Sequence, residues 1–115
     1  MLKLLIAEDD RDIRDLIRLG LGARHSLVLV ANGREAFVAA AQSAFDVIML
    51  DVRMPEMDGI QAAEQIRSLP QHTATPILFL SGNVDQHPPV GNSSVMEKPF
   101  TIRELATRVE ALGRS

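Results

Sequence analysis

Val47-Ile48-Met49-Leu50-Asp51 is a run of four apolar residues closed by a carboxylate, and Val52-Arg53-Met54-Pro55-Glu56-Met57-Asp58-Gly59 follows it. A short apolar run without polar alternation predicts a strand buried on both faces. Asp58-Gly59 then opens a helix that turns Ile60, Ala63 and Ile66 inward. A strand covered on both sides belongs to a parallel sheet with helices on each face.

The same unit repeats outward from this centre. Upstream, residues 2–7 form an apolar run with Lys3 near its start, and Ile13, Leu16, Ile17 and Leu21 recur at helical spacing. A second run covers residues 27–30. Asn32 then caps a helix, Glu35 is placed to complete a capping box, and Phe37, Ala40 and Ala41 are assigned inward. Downstream, residues 77–80 are a fourth run and residues 95–97 a weak fifth. The last helix has the clearest start: Thr101 as cap, Glu104 at the third position, and Phe100 packing on Leu105, with Gly113 as its stop. Strands alternating with amphipathic helices predict an α/β fold, a doubly wound five-stranded parallel sheet with right-handed crossovers.

Bulk properties agree. The 115 residues suit a single domain over 1–115, with 46% apolar and 23% charged residues. There is no cysteine, which excludes disulfides and thiolate metal sites and suits a reducing cytoplasm. No run is long enough for membrane insertion. A formal charge of −3 argues against direct nucleic-acid binding, and four Phe without Tyr or Trp disfavour stacked bases or flavins.

Sheets of this kind bind ligands beyond the carboxyl ends of their strands. Glu8, Asp9 and Asp10 follow the first run, Asp51 the third, Ser81-Gly82 the fourth and Lys98-Pro99 the fifth. Each has a plainer explanation in isolation. Acidic residues favour the first turn of a helix, Asp51 could cap a turn, Ser-Gly is an ordinary turn pair, and a lone Lys is usually on the surface. Yet Lys98 is one of two lysines beside ten arginines, and all four features fall at matching strand ends. Together they form a carboxylate cluster with one hydroxyl and one ammonium. Carboxylates suit a hard cation such as Mg²⁺, with Mn²⁺ the alternative. Lysine serves phosphate as a point charge, and a carboxylate nucleophile can form an aspartyl-phosphate.

These residues resemble the receiver domain of two-component response regulators over the whole chain. Leu4-Leu5-Ile6-Ala7-Glu8-Asp9-Asp10 is similar to the family's first strand and acidic pair, with Asp10 just outside the pair. The stretch Asp51 to Gly59 is similar to its phosphoacceptor loop, the most specific of the motifs. Ser81-Gly82 matches the hydroxyl position, and Lys98-Pro99-Phe100 the lysine-proline turn, which usually has a cis peptide bond. The resemblance implies a flavodoxin-like sheet of order 2-1-3-4-5. It implies that Asp51 takes a phosphoryl group from a phosphohistidine of a sensor histidine kinase or a histidine phosphotransfer protein. Glu8, Asp9, Asp51 and the Arg53 carbonyl would hold Mg²⁺, while Lys98 and Ser81 serve the phosphoryl oxygens. Arg53 and Asn83 would flank the water that later hydrolyses the product. The domain would be a regulatory phosphoacceptor and not a separate enzyme, acting in the cytoplasm on a downstream protein that the sequence does not identify.

Two features depart from the family pattern. Residues 82–94 hold Pro88-Pro89 and Gly91 and are short for the interval, so the pattern's fourth helix is expected to be short or absent. Val95 stands where many receivers carry an aromatic switch residue. His25, His72 and His87 lack ligand-like spacing and are assigned to the surface. Two rivals are weighed: a pseudo-receiver scaffold, which would be expected to lack some of the acidic, hydroxyl and lysine residues, and a phosphatase with an aspartyl-phosphate intermediate. The phosphatase would usually carry a second aspartate two residues after the nucleophile, where Arg53 stands.

Overall fold

The computed structural model describes residues 1–82 and 91–114. Its elements run β1 (Lys3–Ala7), α1 (Arg11–Leu21), β2 (Ser26–Val30), α2 (Gly33–Gln42), β3 (Val47–Asp51), α3 (Gly59–Arg67), a 3₁₀ turn (Pro70–His72), β4 (Ile77–Ser81), β5 (Ser93–Glu97) and α4 (Ile102–Gly113). All strand pairs are parallel, in the order β2-β1-β3-β4-β5. The expected doubly wound sheet is therefore present. The expected shortening between β4 and β5 falls mainly on residues 83–90, outside the described residues.

Side-chain alternation along the strands splits the core into two layers. Leu4, Ile6, Val47, Met49, Leu78 and Leu80 pack with Ile17 and Leu21 of α1 and with Leu105 and Val109 of α4. Leu5, Ala7, Ile48, Leu50, Ile77 and Phe79 pack instead with Ala36 and Ala40 of α2 and Ala62, Ala63 and Ile66 of α3. This is why the strands read as unbroken apolar runs: both phases are buried, and each fully buried Leu or Ile contributes on the order of 1.5–3 kcal/mol. Counting on from Ile6 and Met49, Glu8 and Asp51 fall in the phase of the α1/α4 layer.

Local signals resolve with several corrections. Asp58 and Thr101 close full capping boxes with Gln61 and Glu104. Asn32 accepts from the Glu35 N–H, but the Glu35 carboxylate reaches back to the Ala31 N–H, one residue earlier than a capping box requires. Leu16 is 48% exposed, and Ala36 takes the inward place expected of Ala41, which is exposed. The weak fifth strand starts earlier than expected, at Ser93. Gly113 does not stop α4 in a left-handed turn. It is the helix's last residue, and a Cβ there would lie 2.5 Å from Leu2 Cδ1, so close packing explains the glycine.

The histidine assignment is also corrected. His72 is fully buried, with Nδ1 2.9 Å from Thr75 Oγ1, Nε2 3.0 Å from the Ser43 carbonyl, and its ring stacked on Phe45. His25 Nδ1 accepts from the Leu2 N–H at 3.1 Å, and Nε2 lies 3.0 Å from Glu110 Oε2, which ties the start of β1 to α4. Both are structural polar groups satisfied in the fold. His87 lies outside the described residues.

Candidate functional site

The strand ends bring the predicted groups to one cleft of about 550 Å³. The parallel ladder continues one step past the strands: Glu8 N–H donates to the Val30 carbonyl, Val52 N–H to Leu80, and Lys98 N–H to Ser81. Those bonds place Glu8, the segment after Asp51, and Lys98 at fixed positions over the sheet edge. Lys98 Nζ then bridges two carboxylates, 2.8 Å from Glu8 Oε1 and 2.9 Å from Asp51 Oδ2. Asp51 Oδ1 accepts the Arg53 N–H at 3.1 Å, while Glu8 Oε2 accepts the Asp10 N–H at 3.1 Å. Glu8 and Asp51 are buried and Asp9 is exposed, and all three offer carboxylate oxygens within 4.8 Å of one another. Ser81 and Gly82 form part of the cleft wall, and the Lys98-Pro99 bond is cis.

Close backbone packing holds the loop after Asp51. Gly59, the first residue of α3, donates its N–H to the Val52 carbonyl, and a Cβ there would come within 2.2 Å of the Asp51 carbonyl oxygen. Gly33 donates to the Met57 carbonyl at 3.0 Å with equally little room. Glu56 takes a left-handed φ of 65° and accepts from Asn32 Nδ2 at 3.2 Å. Met54 and Met57 pack half-buried against the α2/α3 layer, as does Val95.

A family model described as the response regulator receiver domain matches residues 4–110. The chain belongs to the response regulator receiver domain family. Receiver domains of this kind act in two-component signalling. The transcriptional regulatory protein SrrA of Staphylococcus aureus is 36% identical over 97% of this chain, which spans 48% of SrrA. Among solved structures, the receiver domain of the sensor histidine kinase PA1611 of Pseudomonas aeruginosa superposes with a TM-score of 0.90 at 27% identity, covering 99% of this chain and 98% of that one. That structure has a magnesium ion coordinated in its active site cleft. The chemotaxis response regulator CheY4 of Vibrio cholerae gives 0.90 at 31% identity, covering 97% and 98% of the two chains. No helix among the described residues of the receiver domain is long and apolar enough to cross a membrane.

The electrostatics of this receiver domain show what its cleft is short of. Burial pushes the Glu8 carboxyl up to about 7, and the neighbouring Asp51 carboxylate adds to the rise against the opposing pull of Lys98. For Lys98, burial acts downward, but the bonds to Glu8 and Asp51 outweigh it and the ammonium is raised. Three carboxylates face one ammonium, so the cleft carries excess negative charge that a proton on Glu8 or a divalent cation relieves. A hard cation with oxygen ligands fits this donor set.

A pH dependence follows. Glu8 is raised above its ordinary value of 4.5, so its favourable contribution to metal-free folding is full below that value. It is lost as pH rises to about 7, because the folded state must give up a proton that it holds more tightly. A divalent cation held by this cluster would compete with that same proton. Titration calorimetry at several pH values is expected to show Mg²⁺ affinity rising from pH 5.5 to pH 8. A flat profile would contradict the placement of Glu8 in the cluster.

Two residues have roles that the sequence reading did not assign. Asp10, just outside the acidic pair, is the N-cap of α1, its Oδ1 accepting the Asp12 and Ile13 N–H groups. Arg14 and Arg18 are four residues apart, a spacing that puts them on one face of α1. Arg14 Nη1 nevertheless turns to the loop before the helix and donates to the carbonyls of Glu8 at 2.7 Å and Asp9 at 3.1 Å, while exposed Arg18 pairs with Asp15. The signal available was the spacing of five and six residues from the acidic pair to an arginine one turn into a helix.

Proposed function

We propose that residues 1–115 form one phosphoacceptor domain in which Asp51 takes a phosphoryl group from a phosphohistidine of a sensor histidine kinase or a histidine phosphotransfer protein. The observation that carries this reading is the Lys98 ammonium bridging Asp51 and Glu8, with Asp9 beside them, at the carboxyl end of the sheet. An Asp51 carboxylate oxygen attacks phosphorus, the phosphorus–nitrogen bond breaks, and the donor imidazole leaves with the bond's electron pair. Glu8, Asp9, Asp51 and the Arg53 carbonyl would hold Mg²⁺, or Mn²⁺, which supplies charge neutralisation at the phosphoryl oxygens. Lys98 adds a second cation there, and the Ser81 hydroxyl donates to a phosphoryl oxygen. Catalysis is then positioning and electrostatics, performed once per donor, and the domain acts as a regulator in the cytoplasm.

The donor docks across α1 and the adjoining loops, above the cleft. Leu16 and Leu19 are 48% and 81% exposed on α1, three residues apart, and offer an apolar strip on the helix that follows the acidic pair. Of the residues assigned to the water path, Arg53 is exposed beside Asp51, and Asn83 lies outside the described residues.

Beryllofluoride, which mimics a phosphoryl group, tests the site in solution. With Mg²⁺ present, backbone amide NMR is expected to show the largest shifts at Asp51 to Arg53, Ser81 and Lys98. Shifts confined to α4, with those residues unmoved, would contradict the assignment.

A further inference from the structure

We infer that Arg14 is a positioning residue for the metal cluster: its guanidinium fixes the backbone of Glu8 and Asp9 so that their carboxylates converge with Asp51. The inference rests on the metal reading above and adds a residue outside the acidic and lysine positions.

Glu8 and Asp9 lie between β1 and α1, where neither strand pairing nor helix bonding satisfies their carbonyls internally. Among the described residues, the backbone of Glu8 is tied to the sheet through its N–H, which donates to the Val30 carbonyl. The guanidinium of Arg14 is a donor and not a cation ligand, and its Nη1 donates to both of these carbonyls, at 2.7 and 3.1 Å. The Arg14 backbone is itself anchored, because its N–H donates to the Asp10 carbonyl in the first turn of α1. Asp10 in turn caps that turn with its carboxylate and donates its own N–H to Glu8 Oε2. The result is a closed ring of bonds: Glu8 carboxylate to Asp10, Asp10 to Arg14, Arg14 back to the Glu8 and Asp9 carbonyls. Asp9 is exposed, and the bond from Arg14 to its carbonyl ties its backbone into this ring. Groups that orient metal ligands in this way typically change metal affinity about 10–100-fold when removed.

The sign of the effect separates this role from simple charge. Coulomb's law alone says that deleting a cation near the carboxylates should tighten Mg²⁺ binding. Loss of the clamp should weaken it. Titration calorimetry with Mg²⁺ on the full chain is the readout, with the thermal midpoint in EDTA as the fold control. Arg14→Ala is expected to weaken Mg²⁺ binding about tenfold. Arg18→Ala, one turn on and paired with Asp15, is expected to leave it unchanged or slightly tighter. Arg14→Lys keeps a charged donor with shorter reach and should bind Mg²⁺ more tightly than Arg14→Ala. If Arg14→Ala does not fold, the comparison passes to Arg14→Lys against the wild type, where weaker binding is expected. Unchanged or tighter binding in the Arg14 variants, with the wild type binding normally, would overturn the inference alone. No Mg²⁺ binding by the wild type would overturn the metal reading and the inference together.

Discussion

Asp9→Ala is expected to melt at the same temperature in millimolar Mg²⁺ as in EDTA, while the wild type melts higher in the metal. A ligand present at a hundredfold excess over its Kd stabilises the folded state by about 2.7 kcal/mol. For a domain of this size that gain corresponds to a midpoint shift on the order of 10 °C. Asp9 is exposed, so truncating its side chain should cost the metal-free fold little, within about 0.5 kcal/mol. Losing one of three converging carboxylates would instead remove a proposed ligand and part of the charge that makes the cleft attractive to a cation. Differential scanning calorimetry with and without Mg²⁺ separates the two effects. A variant that kept the full metal response would show that Asp9 is not a ligand.

Lys98→Ala should fold, should still bind Mg²⁺, and should lose most of its phosphoacceptor rate. Its ammonium is the one group bonded to both Glu8 and Asp51 among the described residues, at 2.8 and 2.9 Å. Removing a positioned charge of this kind costs about 10²–10³ in rate where charge builds up during reaction. The metal-free variant should also be less stable, by roughly 1–3 kcal/mol, because two carboxylates lose their shared donor. Mg²⁺ should restore part of that loss, since the cation takes over the neutralisation. Stopped-time phosphorylation assays and urea midpoints measure the two quantities. A variant that reacted at the wild-type rate would place Lys98 in a structural role only.

Much of this was legible because the signals were local or periodic. Residues 47–50 announced a strand buried on both faces, and the two core layers show why no polar alternation was present. Thr101 and Glu104 specify the start of α4 by their own hydrogen bonds, so the sequence spacing was sufficient. Glu8, Asp9, Asp51 and Lys98 were legible because each follows an apolar run, and a parallel sheet collects strand ends at one edge.

The misreadings have equally specific causes. Leu16 lies near the margin of the apolar stripe of α1, where period alone does not decide between core and solvent. Ala36 and Ala41 are both small and apolar, and only the packing of α2 on β1 and α3 separates them. His25 and His72 are buried by partners 85 and 29 residues away in sequence, at Glu110 and Ser43, which no local pattern encodes. Arg14 reads as a surface residue on a helical wheel, yet its side chain folds back along the helix to the loop before it.

The central claim is that Asp51 accepts a phosphoryl group in a metal-dependent reaction. Incubation with acetyl phosphate and Mg²⁺, followed by intact-mass measurement, tests it without any partner kinase. The account predicts a mass gain of one phosphoryl group in the wild type, none when EDTA replaces Mg²⁺, and none in Asp51→Asn. A phosphoryl gain that persisted in Asp51→Asn would contradict it.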